Sequence, residues 1–231
     1  MTRIYLFRHA EAEGNIKREF HGQTEGLITP RGRLQLDALA QRCGELPIER
    51  IYSSPLIRAV ETAKAVNRLK GVDIVLRNSL MEIHAGVWER MKFQDFPIRY
   101  PAENDLWENH PEEFVVEGGE SMRQVYGRIR DAVLRIVEEN PGRTLGLVSH
   151  GCALRNLLCF CKGYPIERLN EVNWIPNTGI SCVDFEGTTP HLLFEGDDSH
   201  LKDIGSMMMW DDEPSEASFD KAENKSIGIV P

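Results

Sequence analysis

The chain has 231 residues, 41% hydrophobic and 27% charged, which suits one α/β domain with a small insertion and leaves no apolar run long enough for a membrane helix. The net charge is -9, but Gly196 to Pro231 holds nine acidic and three basic residues, so that segment carries -6 and the body only -3. Such a charge excludes nucleic acid and anionic membrane as partners, yet it permits a local arginine cluster that binds an anion.

Five cysteines without zinc-site spacing, and no signal-peptide pattern before Arg8, predict reduced core thiols in a cytoplasmic protein. In chain order, a first strand over Ile4–Phe7 ends at Arg8-His9. Pro30 opens a helix that runs to Cys43 and stops at Gly44. A second strand, Ile48 to Tyr52, ends at Ser53-Ser54-Pro55. Ser54 is read as N-cap and Pro55 as first-turn proline of a helix with Glu61, Lys64 and Arg68 on its outer face. Between Trp88 and Gly119, Pro97, Pro101 and Pro111 interrupt short helical pieces. Trp88, Met91, Phe93, Phe96, Tyr100 and Trp107 predict an aromatic cap there, facing the substrate. Ser121 opens a helix with Met122, Val125, Ile129, Val133, Ile136 and Val137 at helical spacing, broken by Asn140-Pro141-Gly142.

A third strand, Thr144 to Val148, ends at Ser149-His150-Gly151 and starts a helix that stops near Gly163. An edge hairpin follows at Ile180 to Phe185 and His191 to Phe194. Strands alternating with helices predict an α/β three-layer sandwich: a mostly parallel central sheet, helices on both faces, and a small helical cap. The expected organisation is one domain over 1–195, with the cap at about 88–119. Residues 196–231 form an acidic extension whose Met207-Met208-Met209-Trp210 cluster is a candidate for docking on the body.

In open parallel sheets, ligands bind at the carboxyl ends of strands. His9 follows Arg8 at the first such end, Arg58 lies in the first helical turn after the second, and His150 stands at the third, beside Gly151. Alone, each has a bland reading as strand-end, helix-surface or core residue. Together, two arginines and two histidines converge on one edge, a donor set that fits phosphoryl oxygens. A neutral imidazole can attack phosphorus, while arginines neutralise the equatorial oxygens and disfavour its protonation.

The run Leu6-Phe7-Arg8-His9-Ala10-Glu11 with Asn15 resembles the signature of the histidine phosphatase superfamily, Ala10 standing where the family usually has glycine. The resemblance continues through Leu27–Gly32, Ile51–Ala59 with Glu61-Thr62-Ala63, Leu80–Ile83 with Gly86 and Trp88-Glu89, Gly118–Ser121, Val148–Gly151 and Asn177–Gly179, covering residues 1 to about 195. It implies His9 as nucleophile, Arg8, Arg58 and His150 as phosphate clamp, Asn15 as a further donor, and Glu82 as proton donor to the leaving group. Gln23 and Thr24 fall in a loop that contacts phosphate or substrate. Arg90, at a position often glycine, is read as solvated surface, with contact to a second anionic group as the alternative. The implied activity is hydrolysis of a small phosphorylated metabolite through a phosphohistidine, with no cofactor and no metal.

The sequence carries no cysteine-phosphatase loop, no Asp-x-Asp run, no Gly-x-x-x-x-Gly-Lys loop and no metal-ligand spacing. A cofactor-dependent phosphoglycerate mutase is the alternative; the short segment from Glu82 to Gly118 and the run Phe20-His21-Gly22-Gln23 favour a phosphatase. A non-catalytic binding protein would lack a clamp residue, and none is missing. The partner is a small-molecule phosphomonoester, with assembly left open and a homodimer among the options.

Overall fold

The computed structural model describes residues 1–202, 204 and 205. Strand β1 (Thr2–Arg8) sends alternate side chains to opposite faces. Ile4 and Leu6 enter one hydrophobic cluster, Tyr5 and Phe7 another. After the short helix α1 (Glu13–Lys17) come α2 (Pro30–Cys43), β2 (Arg50–Ser53) and α3 (Ile57–Asn67). Leu39, Cys43, Ala59, Ala63 and Val66 of the two longer helices cover the Tyr5 face. Strand β3 (Ile74–Leu76) is followed by α4 (Phe96–Arg99), α5 (Pro101–Asn109) and α6 (Met122–Glu139). Then come β4 (Thr144–Ser149) and α7 (Gly151–Cys161). Helices α6 and α7 pack together over the Ile4 face. An antiparallel hairpin, β5 (Ile180–Glu186) and β6 (Thr189–Asp197), completes a sheet of order β3-β2-β4-β1-β5-β6 whose first four strands are parallel. This is the three-layer α/β architecture expected from the sequence.

Local signals explain the best-placed elements. Thr29 Oγ1 accepts from the Gly32 amide at 2.9 Å, with Pro30 at the first helical position of α2. Ser121 and Gln124 form a reciprocal capping box on α6, and all six apolar positions named for that helix are buried.

Four expectations are corrected. Helix α3 starts at Ile57 with Leu56 as N-cap, because the Leu56 carbonyl takes the first helical bonds, from Ala59 and Val60; Ser54 Oγ accepts from the Leu56 amide at 3.3 Å and also from His150. Pro97, Pro101 and Pro111 do not interrupt helices. Each stands in the first turn of its own short element, where a missing N–H costs nothing. The aromatic residues near the cap do not face substrate as a group. Trp88, Phe96, Trp107 and Phe114 pack with Phe20 as a buried cluster, Trp88 stacking on Phe96 with centroids 3.9 Å apart. Finally, the ordered body continues past residue 195: β6 reaches Asp197, Leu201 is buried, and Gln35 Nε2 donates to the Gly205 carbonyl at 3.2 Å. The Met207–Trp210 cluster lies outside the described residues.

Strand β3 was not anticipated. Three residues are too few to show a period, and β3 pairs on one side only, with β2. Arg90 is exposed with φ of 64°, the left-handed conformation that suits glycine. Among the described residues, no helix is long and apolar enough to cross a membrane.

Candidate active site

Sheet register brings the chemistry together. Arg8 at the end of β1 pairs with Ser149 at the end of β4, and Ser53 of β2 pairs with Val148. The residues that follow, His9, His150 and Ser54, therefore meet at one edge. His9 is pinned there by its amide, which donates to the Ser149 carbonyl at 3.0 Å, and by its own carbonyl, which accepts from Asn177 Nδ2 at 2.9 Å.

The His9 ring is oriented as well. Its Nδ1 lies 2.7 Å from the Ala10 carbonyl, an acceptor only, so Nδ1 carries the proton and Nε2 keeps its lone pair. Burial, then Arg58 and Arg8, hold its pKa well below the ordinary histidine range. Neutral His9 is thus the resting form at physiological pH.

Arg8 and Arg58 are both buried. Arg8 donates through one terminal nitrogen to the Ile175 carbonyl at 2.6 Å, but its buried Nε has no partner among the described residues. An unpaired guanidinium donor in the interior is costly unless a ligand completes it. Burial brings the Arg8 pKa down to about 10, which leaves it cationic near neutrality. Arg58 is held by the loop before α2: it donates to the carbonyls of Thr24 (2.8 Å), His21 (3.0 Å) and Gly22 (2.6 Å).

Both nitrogens of His150 are used inside the protein. Arg58 Nε donates to Nδ1 at 3.2 Å, so Nε2 donates to Ser54 Oγ at 2.8 Å. Burial, then Arg58, depress its pKa, which agrees with that neutral tautomer. The His9 and His150 rings lie 5.1 Å apart, yet His150 acts on Arg58 rather than offering a free nitrogen of its own.

Glu82 is buried at the N-terminus of α7. Its Oε1 accepts from the amides of Ile83 (2.9 Å) and Ala153 (3.0 Å), and its Oε2 from Cys152 (2.9 Å). Burial raises its pKa, against the pull of those amides and of Arg58, and the net direction is up. Oε1 has both lone pairs occupied while Oε2 has one left, so Oε2 is where a proton sits. The first amides of α7 are thus mostly taken by Glu82, and Gly151 is the residue of that turn that lines the cleft. Arg128 steadies the segment, donating to the carbonyls of Ser79, Met81 and Glu82 while paired with Glu120.

Arg8, His9, Arg58, Glu82 and Gly151 line a cleft of about 50 Å³ together with Asn15, Glu19, Phe20, His21 and Phe93; His150 is not among its lining residues. That is room for roughly four waters, the scale of a phosphoryl group rather than of a whole metabolite. Asn15 is at the cleft, though its Oδ1 also accepts from the Ala12 amide at 3.0 Å. Gln23 and Thr24 are not among the lining residues. Their amides donate to Glu89 at 2.8 and 3.2 Å, and Gln23 Nε2 donates to the Glu82 carbonyl, so the loop braces Arg58 from behind. Sequence reasoning missed the parts of Ser54, Glu89 and Arg128, which depend on contacts distant in sequence, and of Glu19 and His21, which bond each other two residues apart. Glu11 of the signature is not at the cleft either: it is buried against Thr29 Oγ1 and Arg31, fastening the start of α2.

A family model for the histidine phosphatase superfamily (branch 1) matches residues 4–198. Phosphoserine phosphatase 1 of Hydrogenobacter thermophilus is 29% identical over 168 residues, 73% of this chain and 80% of that protein. Probable phosphoglycerate mutase GpmB of Salmonella choleraesuis is 30% identical over 186 residues, 80% and 86% of the two chains. Among solved structures, Bacillus stearothermophilus YhfR superposes with a TM-score of 0.84 at 30% identity, covering 87% of this chain and 100% of that one. The chain belongs to the histidine phosphatase superfamily. Within it, the relatives carry both phosphatase and phosphoglycerate mutase names.

Proposed function

We propose that the chain is a phosphatase that hydrolyses monoesters of small phosphorylated metabolites in two steps, through a phosphohistidine on Nε2 of His9. The observation that carries the reading is the orphaned Arg8 Nε beside a His9 ring whose one free lone pair is on Nε2. Nε2 attacks phosphorus, and the P–O bond to the alcohol breaks as that bond forms. Arg8 and Arg58 carry the charge that spreads over the equatorial oxygens, with Asn15 a further donor. His150 fixes Arg58 in place, and Gln23 and Thr24 support it through their loop. Glu82 Oε2 gives its proton to the departing alkoxide. The resulting carboxylate then takes a proton from water as water attacks the phosphohistidine.

A small-molecule phosphomonoester is the partner this reading takes, and the relative named phosphoserine phosphatase 1 supports that class. Five buried, unpaired cysteines fit the reducing cytoplasm expected from the sequence. The mutase reading rests on the name of the Salmonella relative. A coupled assay with 3-phosphoglycerate and added 2,3-bisphosphoglycerate decides it: mutase turnover equal to the best phosphatase turnover would reverse the ranking.

Partitioning tests the two-step route. With glycerol present as competing acceptor, a common phosphoenzyme must give the same ratio of phosphoglycerol to inorganic phosphate from every substrate. A ratio that varies with the leaving group would mean direct attack by water.

A further inference from the structure

The cations lining the cleft all lie at its floor. Among the described lining residues, full positive charge belongs to Arg8 and Arg58, both committed around the phosphoryl position. Lys17, Arg18 and Lys92, the cations nearest the entrance in sequence or strand pairing, are not lining residues. The charged group that is present, at a more exposed place, is a carboxylate: the Glu19 side chain lines the cleft and is 22% exposed.

Glu19 is held in that position. Its Oε2 accepts from His21 Nε2 at 3.1 Å, while its Oε1 takes no hydrogen bond among the described residues. The His21 ring is wedged between two glycines. A Cβ on Gly14 would come within 2.6 Å of the ring's Cγ, and one on Gly26 within 3.0 Å of Nδ1. The Glu19 amide donates to the Gly14 carbonyl at 3.0 Å, and its backbone bridges to Lys92. Phe20 and Phe93 complete that wall. The cleft accommodates little more than a phosphoryl group, so the alcohol part of a substrate must lie against this rim. Among the described lining residues, a carboxylate or second phosphate there meets Glu19 and no cation. A hydroxyl or ammonium meets a ready acceptor.

We infer that Glu19 is a specificity-determining residue, and that the preferred substrates are phosphomonoesters whose alcohol is neutral or carries an ammonium rather than a second negative charge. The inference rests on the phosphohistidine reading above and narrows its substrate class.

Two matched pairs test it. Glycerol 3-phosphate and 3-phosphoglycerate share a three-carbon skeleton and differ by a hydroxymethyl against a carboxylate. Phosphoethanolamine and phosphoserine differ by a carboxylate alone. The readout is the kcat/KM ratio within each pair, each value normalised to the same variant's turnover of p-nitrophenyl phosphate. The wild type should favour the uncharged or cationic member by about tenfold or more. Glu19→Gln should bring both ratios close to one, and Glu19→Arg should invert them. Wild-type ratios at or below one, or ratios that Glu19→Gln and Glu19→Arg leave unmoved, would overturn the inference while p-nitrophenyl phosphate turnover keeps the phosphohistidine reading intact. Loss of His9-dependent turnover of every substrate in the wild type would sink both.

Discussion

At the floor of the cleft, Arg8, His9 and Arg58, with His150 bonded to Arg58, sit at strand ends and in a first helical turn, none more than 6% exposed. At its rim, Glu19 and His21 follow the end of α1 and Phe93 opens a single 3-10 turn ahead of α4, and Glu19 is partly exposed. The floor is positioned by sheet register, so its geometry is shared by any substrate. The rim is positioned by side chains packed on glycines and by single hydrogen bonds, so it can change without disturbing the floor. The contrast separates the chemistry of phosphoryl transfer from the choice of alcohol.

The largest expected effect comes from removing the nucleophile. His9→Ala should abolish turnover of every ester alike, because the lone pair of His9 Nε2 is the one held beside Arg8 and Arg58, while both nitrogens of His150 are hydrogen-bonded. Residual turnover within about a hundredfold of wild type would break the claim that the floor acts through His9.

Next comes Glu82→Gln, which should depend on the leaving group. The loss should reach up to about 5 kcal/mol for alkyl esters, if the acid supplies its full ten-thousandfold. It should be clearly smaller for p-nitrophenyl phosphate, whose phenolate needs little protonation. The pH dependence carries the same signature. Glu82 must be protonated and its pKa is raised, so alkyl-ester turnover should fall as pH climbs through that value. Glu82→Gln should erase this basic limb. His9, with its pKa depressed, adds no loss until pH drops well below the usual histidine range. Equal slowing of both esters would make Glu82 a positioning residue.

Trp88→Ala probes the support beneath the rim. Trp88 is fully buried and stacked on Phe96, so truncation should cost about 3–5 kcal/mol in denaturant unfolding. That is a large share of a typical domain's 5–15 kcal/mol. A cost under about 1 kcal/mol would show that the aromatic cluster does not carry the rim. The smallest effect expected is none: a chelator should leave p-nitrophenyl phosphate turnover unchanged. Inhibition reversed by magnesium would contradict a floor that works by histidine and arginine alone.

The same contrast explains what the sequence made legible. Arg8-His9, Arg58 and His150 are readable because each adjoins an apolar strand or a strong helix signal, and sheet geometry then places them. The capping box at Ser121 and the start of α2 at Pro30 are equally local. Ser54 misled because its hydroxyl does both: it accepts from the Leu56 amide just ahead of the helix and from an imidazole 96 residues away, and only tertiary structure shows His150. The aromatic cap misled because composition does not tell which way a ring faces: Trp88, Phe96 and Trp107 turn inward on Phe20, and Phe93 is the member left at the cleft. Gln23 and Thr24 were placed in the right loop, but Glu89, 66 residues beyond Gln23, turns that loop to brace Arg58 instead of meeting ligand. Glu19 carries no local signal at all, since a lone glutamate after a short helix reads as solvated surface.

The most direct measurement is to trap the intermediate. Enzyme turning over p-nitrophenyl phosphate, quenched and mapped by mass spectrometry under alkaline conditions, should carry one phosphoryl group on His9. That group should be labile to acid, stable to base and absent from His9→Ala. Phosphate on another residue, or a fully active enzyme that never accumulates or turns over a phosphohistidine, would contradict the account.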